Sequence, residues 1–300
     1  MVLTVTLNPA VDYHMKIDSF SEGKSLSAKG VSFQAGGKGI NVSRVLNNLG
    51  IANTALAVLG GFTGDYIKSQ IPELKAISIK ERTRINTKLR TAISETEIHG
   101  VAPELTLQEI EQVKYEIAHL TKDDTLILSG SLPKGVSDAI YKELALLVPD
   151  TRIIADTRGV ALKEIITVKN LFLIKPNKDE LSELFGCEIC SNEEALKLAQ
   201  NLKNDTNITY IIVSLGKDGA YLLTDTEVFY APALEGELVS SVGAGDSLVA
   251  GFIARYLKSD DPKLSFAYGV ACAAGTVFSH GLCTLETAER LVKNVKISQI

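Results

Sequence analysis

Residues 240–257 read SSVGAGDSLVAGFIARYL. Gly243, Ala244 and Gly245 are small enough to let a ligand approach the backbone closely, and the apolar run behind them opens a helix. The first N–H groups of a helix have no partner within it and carry partial positive charge, so this junction suits an anion, phosphate above all. Asp246 falls in the first helical turn, at the mouth of that anion site. A helix cap is the plain alternative for it, because Asp is a favoured cap and glycine turns precede many helices. The stretch is not a P-loop, since no Lys follows its glycines.

Upstream of this junction, strand-like runs at 2–7, 54–59, 125–128, 152–155, 171–174 and 210–214 alternate with helical patterns at 40–49, 107–120, 138–147, 178–185 and 193–202. In the first helical pattern Ile40, Val42, Val45, Leu46 and Leu49 set the period and Gly50 stops it. Such alternation implies β-α-β units and an α/β fold with a buried, mostly parallel sheet. Residues 12–35 and 83–100 break the alternation. Both look like antiparallel ribbon, the second with a turn near Ala92–Ser94, and neither is long enough to stand alone. Together they are expected to form a small sheet, a candidate lid on a single domain spanning residues 1–300. The stretches 244–257, 263–278 and 285–295 make the last third almost wholly helical.

Lys and Arg total 31 against 36 Asp and Glu, a net charge of −5, with 45% apolar and 22% charged residues. That composition belongs to a folded globular chain. It argues against a nucleic-acid or membrane-surface partner, whose binding draws on clustered Lys and Arg. No apolar run reaches the ~18–20 residues that span a bilayer, and MVLTVTLNPAVD has no basic segment before an apolar one. A cytoplasmic location is the expectation by exclusion. Cys187 and Cys190 make a C-x-x-C, but Cys272 and Cys283 supply no second pair at zinc spacing, and the histidines (His14, His99, His119, His280) do not help. The pair reads as a turn between helices whose thiols pack inward.

Three more segments suggest chemistry, each with a plain alternative. AGGKGINVSR, residues 35–44, is a glycine-dense turn opening an amphipathic helix, in which Lys38 and Asn41 could bind a polyol or its phosphate; a helix start with a solvated Lys explains it equally. KPNKDE, residues 175–180, ends a strand and starts a helix. Asn177 and Glu180 there can cap the helix or organise the water shell of a magnesium ion. VSLGKDG, residues 213–219, ends another strand at the carboxyl edge where α/β proteins bind ligands, or is simply a hairpin turn.

Taken in order, these segments resemble the ribokinase-like, or PfkB, carbohydrate kinase family. NPAVD at the start, GGKGINVSR, the TRIN ribbon, SGSLPKG at 129–135, KPNKDE, VSLGKDG and VGAGDS carry the likeness nearly end to end. It is strongest to the hexose-phosphate branch, which takes in phosphofructokinases and tagatose-phosphate kinases. The resemblance implies a ribokinase-like fold, with a mostly parallel sheet flanked by helices on both faces and a small β-sheet lid. It also implies ATP and Mg²⁺ as cofactors and a phosphorylated ketohexose as substrate. Fructose 1-phosphate comes first, with tagatose 6-phosphate and fructose 6-phosphate as alternatives. A nucleotide-binding regulator without catalysis, or a kinase of a neutral alcohol, are remoter readings. A homodimer joined through the lid is expected.

By that likeness Asp246 is the catalytic base, and the N–H groups of Gly243, Ala244 and Gly245 hold the transferred phosphoryl group. Asn177 and Glu180 organise magnesium. Ser214, Gly216, Lys217, Asp218 and Gly219 form the ATP loop, and the small-residue helix at 270–278 walls the adenine. Asp12, Gly37 and Asn41 face the sugar, Ser131 contacts it, and Lys38, Arg84 and Lys24 clamp the phosphate it already carries. The chain departs from the family in having Ser240 where Asp or Asn is common, and in a short link at 72–82.

Overall fold

Apolar residues run unbroken through the central strands because both faces of each are covered. In the strand Thr125–Ser129, Leu126 and Leu128 enter one apolar layer and Ile127 the other, all three fully buried. This is the two-residue alternation of a strand, here with apolar residues on both sides. The structure, a computed structural model, describes residues 1–71 and 73–300. Its strands are β1 (Val2–Thr6), β2 (Ala10–Lys16), β3 (Gly30–Gly36), β4 (Asn53–Leu59), β5 (Lys75–Ser78), β6 (Arg84–Arg90), β7 (Glu95–Ile98), β8 (Thr125–Ser129), β9 (Arg152–Asp156), β10 (Leu171–Ile174), β11 (Tyr210–Ser214), β12 (Ala220–Leu223), β13 (Val228–Ala231) and β14 (Ser298–Gln299). Its helices are α1 (Lys38–Asn48), α2 (Gly61–Gln70), α3 (Leu107–Ile117), α4 (Ile140–Leu146), α5 (Gly159–Ile165), α6 (Lys178–Phe185), α7 (Asn192–Asp205), α8 (Ala244–Ser259), α9 (Pro262–Val277) and α10 (Leu285–Leu291).

Among the described residues these strands form a ten-stranded sheet, ordered β14-β13-β12-β11-β10-β9-β8-β1-β4-β5, and a four-stranded sheet, ordered β3-β2-β6-β7. From β11 across to β5 every pairing is parallel. β12, β13 and β14 extend the far edge antiparallel. Helices α3 to α7 cover one face of the large sheet, and α1, α8, α9 and α10 cover the other. The fold is the ribokinase-like α/β arrangement expected.

The chain moves outward from β1 to β4 and β5, then returns to place β8 on the opposite side of β1. Strand order reverses there, and the loops leaving the two carboxyl ends part to open a crevice. Asn8, just after β1, donates its side-chain amide to Ser131 Oγ and to the Leu132 carbonyl, both at 3.1 Å. It ties the two diverging loops together.

The stretches expected as ribbon form the small sheet. β2 pairs antiparallel with β3 and parallel with β6, which pairs antiparallel with β7. The pleat sorts its side chains. Asp12, His14, Asn86, Lys88 and Arg90 share a polar face lining cavities. Tyr13, Val31, Phe33, Ile85 and Ile98 share the other face by register, with Val31, Phe33 and Ile98 each more than half exposed.

The structure also holds elements that the pattern of residues does not announce. Helix α2, GFTGDYIKSQ, buries Ile67 as its sole large apolar side chain beside Thr63 and Gly64, so it lacks a helical stripe. β12 and β13 are four residues each, too short for periodicity to register. The short link at 72–82 contains β5 at the edge of the large sheet; residue 72 itself lies outside the described residues. Cys187 and Cys190 are exposed free thiols rather than inward-packed ones. Gly186 ends α6 in the left-handed conformation, just before the first of them.

Ile127 lies at the centre of the parallel sheet with no exposed surface. Ile127→Ala is expected to lower the unfolding free energy by about 2–5 kcal/mol, read as a lower urea midpoint at unchanged slope.

Candidate active site

Asp246 stands at the third position of α8, and its side chain makes no capping bond. The glycine turn before it supplies the geometry instead. Gly243 takes φ +80°, a left-handed conformation costly for any other residue. A side chain at Gly245 would come within 3.1 Å of the Lys175 ammonium, so Lys175 lies directly under the turn. The Ala244 N–H donates to the Ser241 carbonyl at 3.3 Å. Asp246 is itself buried, and its Oδ2 accepts a 2.8 Å bond from the Asn41 side-chain amide across the packed helices α1 and α8. Burial, then the charge of Asp156, push the Asp246 carboxyl up to about 6, against the pull of Lys38, Asn41 and Lys175.

Asp156, the last residue of β9, is the charged hub beside it. Its Oδ1 lies 3.1 Å from the Lys38 ammonium and 3.5 Å from that of Lys175. Its Oδ2 is buried without a hydrogen-bond partner among the described residues. Burial alone would raise this carboxyl, but the Lys175 and Lys38 charges outweigh it and hold the group below its ordinary range. Lys38 also lies 3.6 Å from Glu180 Oε1.

Two cavities meet at this cluster. One, of about 770 Å³, is lined by Ser214, Gly216, Lys217 and Gly219 beyond β11, by the turn at 243–246, and by Val270, Ala273, Ala274, Val277 and Phe278 along α9. It is apolar along α9 and polar and cationic at the turn before α8. The other, of about 270 Å³, lies between the crevice and the polar face of the small sheet. Asp12, Gly37, Asn41, Arg84, Ser131 and Asn86 are among its walls. Lys38, Glu180, Gly243 and Asp246 line both.

Most of the residues singled out in the sequence thus converge, but several do so differently from expectation. Asn177 and Glu180 form a reciprocal capping box: Asn177 Oδ1 accepts from the Glu180 N–H at 2.7 Å, and Glu180 Oε2 from the Asn177 N–H at 3.0 Å. The capping alternative is therefore realised, and Glu180 Oε1 is left facing Lys38. Lys38 is not a free cation for a substrate phosphate, since Asp156 and Glu180 hold it. Asp218 does not line the large cavity. Its carboxylate accepts from the Asn192 amide at 3.2 Å and its carbonyl from the Tyr230 hydroxyl at 2.8 Å, so it fixes the 216–219 turn from behind. That turn joins β11 to β12, so the hairpin alternative is realised as well. Lys24 sits exposed in the loop between β2 and β3 and lines neither cavity. Ser240 accepts a local bond from the Val242 N–H at 3.3 Å.

Other residues escape the motifs. Lys88 is buried on the polar face of the small sheet, 3.3 Å from Asp12 Oδ2 and 3.5 Å from Glu97, while Asn86 donates to Asp12 Oδ1 at 3.0 Å. Asp156 ends β9 and Arg158 follows it, and their signal was position: they sit at the carboxyl end of a core strand, where α/β sheets place ligands. Lys175 lay inside a quoted motif, yet only its burial beneath the turn distinguishes it from a solvated Lys.

The pfkB family carbohydrate kinase pattern matches residues 5–288. A 1-phosphofructokinase of Borreliella burgdorferi is 38% identical over 306 aligned residues, covering 100% of this chain and 99% of that one. A tagatose-6-phosphate kinase of Staphylococcus epidermidis is 32% identical, covering 100% of both. The tetrameric inhibited form of phosphofructokinase-2 from Escherichia coli superposes with a TM-score of 0.88 at 27% identity, covering 98% of each chain. A two-cavity site, a family pattern spanning most of the sequence and full-length relatives agree: the chain belongs to the pfkB family of carbohydrate kinases, phosphotransferases that act on a sugar hydroxyl.

Proposed function

We propose that the chain transfers the γ-phosphoryl group of ATP to the 6-hydroxyl of fructose 1-phosphate, giving the 1,6-bisphosphate. One observation carries this reading: a buried carboxylate, Asp246, stands on the wall shared by two cavities of different character. The larger one suits a nucleotide, with adenine against the apolar side chains of α9 and phosphates at the glycine turn. The compact polar one suits a sugar. The full-length likeness to a 1-phosphofructokinase supports the choice of sugar.

In this reading Asp246 accepts the hydroxyl proton as the sugar oxygen attacks the γ-phosphorus and the ADP oxygen leaves. A base placed this way contributes ~10²–10⁴ in rate. Asn41 holds the carboxylate in place, and its hydrogen bond favours the ionised form. The N–H groups of Gly243 and Gly245, with the Lys175 and Lys38 ammoniums, face the charge that spreads over the transferred group. Ala244 joins them once its N–H exchanges the Ser241 carbonyl for phosphate. Asp12, oriented by Asn86 and Lys88, grips ring hydroxyls together with Gly37 and Asn41, while Ser131 and Arg84 reach the far end of the sugar. The small sheet closes over it as a lid and excludes water, so that ATP is not hydrolysed.

The residues present fit a magnesium ion that arrives with the nucleotide. Magnesium takes hard oxygen ligands and is held by one or two carboxylates plus substrate phosphates. The partnerless Asp156 Oδ2 and the outward Glu180 Oε1 are the oxygens that would hold it, directly or through water; the Asn177 oxygen is spent on its cap. When bound, the ion neutralises charge on the β- and γ-phosphates.

The apolar face of the small sheet supports pairing of two copies lid to lid. Val31, Phe33 and Ile98 are 55%, 52% and 53% exposed and lie on one surface, an arrangement a monomer leaves open to water at a cost.

Purified protein assayed for ADP release with fructose 1-phosphate, fructose 6-phosphate and tagatose 6-phosphate is expected to show its highest kcat/KM with the first. Turnover of none of the three defeats the reading. Asp246→Asn is expected to lower kcat about 10²–10⁴-fold while ATP still binds. The base must be ionised, so kcat/KM should fall as pH drops through about 6; an acid limb at pH 4, or one kept by the Asn variant, points to another base. Phe33→Glu puts a charge on the apolar face and is expected to yield monomers in sedimentation velocity where the native protein sediments as a dimer.

A further inference from the structure

Two arginines enter the sugar cavity from opposite bodies. Arg84 begins β6 on the small sheet, and Arg158 follows β9 on the large one; both line the same cavity of about 270 Å³. Thr157 Oγ1 donates to the Gly130 carbonyl at 3.0 Å, which turns the chain after Asp156 and directs position 158 toward the cavity. Arg84 donates through Nη2 to the Asn8 carbonyl at 3.2 Å, and its Nε is buried with no partner among the described residues.

Neither guanidinium has a carboxylate within ion-pair distance among the described residues. The nearby acids are committed elsewhere, Asp12 and Glu97 both to Lys88. The two lysines of this cavity are both answered, Lys88 by those acids and Lys38 by Asp156 and Glu180. Burial lowers the affinity of Arg84 for its proton, and the Arg158 charge adds to that effect against the opposing pull of Asp12 and Glu97. Two like charges facing one small cavity repel unless an anion lies between them. A guanidinium fork donates two parallel hydrogen bonds to phosphate, a geometry an ammonium cannot reproduce.

We infer that Arg158 and Arg84 together hold the phosphate the sugar already carries, making Arg158 a specificity-determining residue that selects phosphorylated over free ketohexoses. The inference rests on the proposed reaction for its choice of sugar. Because one arginine belongs to each sheet, the phosphate bridges them. A sugar that brings no phosphate leaves the two bodies mutually repelled.

The test compares native protein with Arg158→Ala and Arg158→Lys, all at an exposed position that the fold does not need filled. Fructose 1-phosphate binding is measured by isothermal titration without ATP, and turnover by ADP release. Arg158→Ala is expected to weaken fructose 1-phosphate binding and raise its KM on the order of 10–100-fold. KM for ATP should stay within about twofold, kcat/KM for unphosphorylated fructose should not fall, since the loss of one charge relieves the repulsion, and Arg158→Lys should recover part of the loss. Unchanged fructose 1-phosphate binding in the Ala variant, or an equal loss of ATP affinity, overturns the inference. If native protein binds fructose 1-phosphate through Arg158 yet never phosphorylates it, the reaction is wrong and the clamp stands. If turnover is high and Arg158→Ala matches native protein, the reaction stands and the clamp is wrong. Native protein that binds no ketohexose monophosphate overturns both.

Discussion

A carboxylate sealed from water between two ammonium groups is the contact on which the site depends. Asp156 has 1% of its side chain exposed, and Lys38 and Lys175 share its Oδ1. Charges buried this way are tolerable only when each is answered; removing one partner strands the others at a cost of several kcal/mol. The cluster therefore fixes four segments relative to one another: the end of β9, the start of α1, the strand-to-helix turn before α6, and the glycine turn before α8. It also sets the electrostatic conditions for Asp246. The same negative charge that steadies the two lysines raises the neighbouring carboxyl toward neutrality, where an acceptor of protons is most effective.

That cluster can exist because the fold delivers its members to one edge. Every core strand from β11 to β5 runs the same way, so the carboxyl ends of β1, β8, β9, β10 and β11 lie on a common rim. The reversal of strand order beside β1 opens the rim into a crevice. Helices α1 and α8, packed side by side on one face, place Asn41 against Asp246. The small sheet grows directly out of the β1 end through β2, which is why its polar side meets the crevice without a long connection.

Much of this was legible in the residues. The alternation of strand and helix patterns, the glycine turns before α1 and α8, and the ribbon character of 83–99 all reflect local rules that tertiary context reinforces. The converging motifs were found because each ends a strand or begins a helix. What escaped had no local signature. Asp156 and Lys175 look like ordinary charged residues until burial joins them. Arg158 is a surface arginine in sequence and a cavity wall in space. Asp218 sits among true lining residues yet turns to Asn192, an outcome decided by a side chain 26 positions away in sequence. Cys187 and Cys190 lie exposed beyond a left-handed helix end at Gly186, and composition alone does not orient the chain there.

The two-sidedness of the small sheet also constrains how this chain can vary in length. Polar and apolar faces there are kept apart solely by the pleat, in which neighbours along a strand point opposite ways. Adding or deleting one residue inside β2 would turn Tyr13 inward to the sugar and Asp12 outward to solvent, inverting both surfaces at once. The largely exposed segment 18–29 between β2 and β3 carries no such parity, and lengthening it costs little in chain entropy. The fold thus tolerates a change in the size of that loop but not in the residue count of the strand that feeds it.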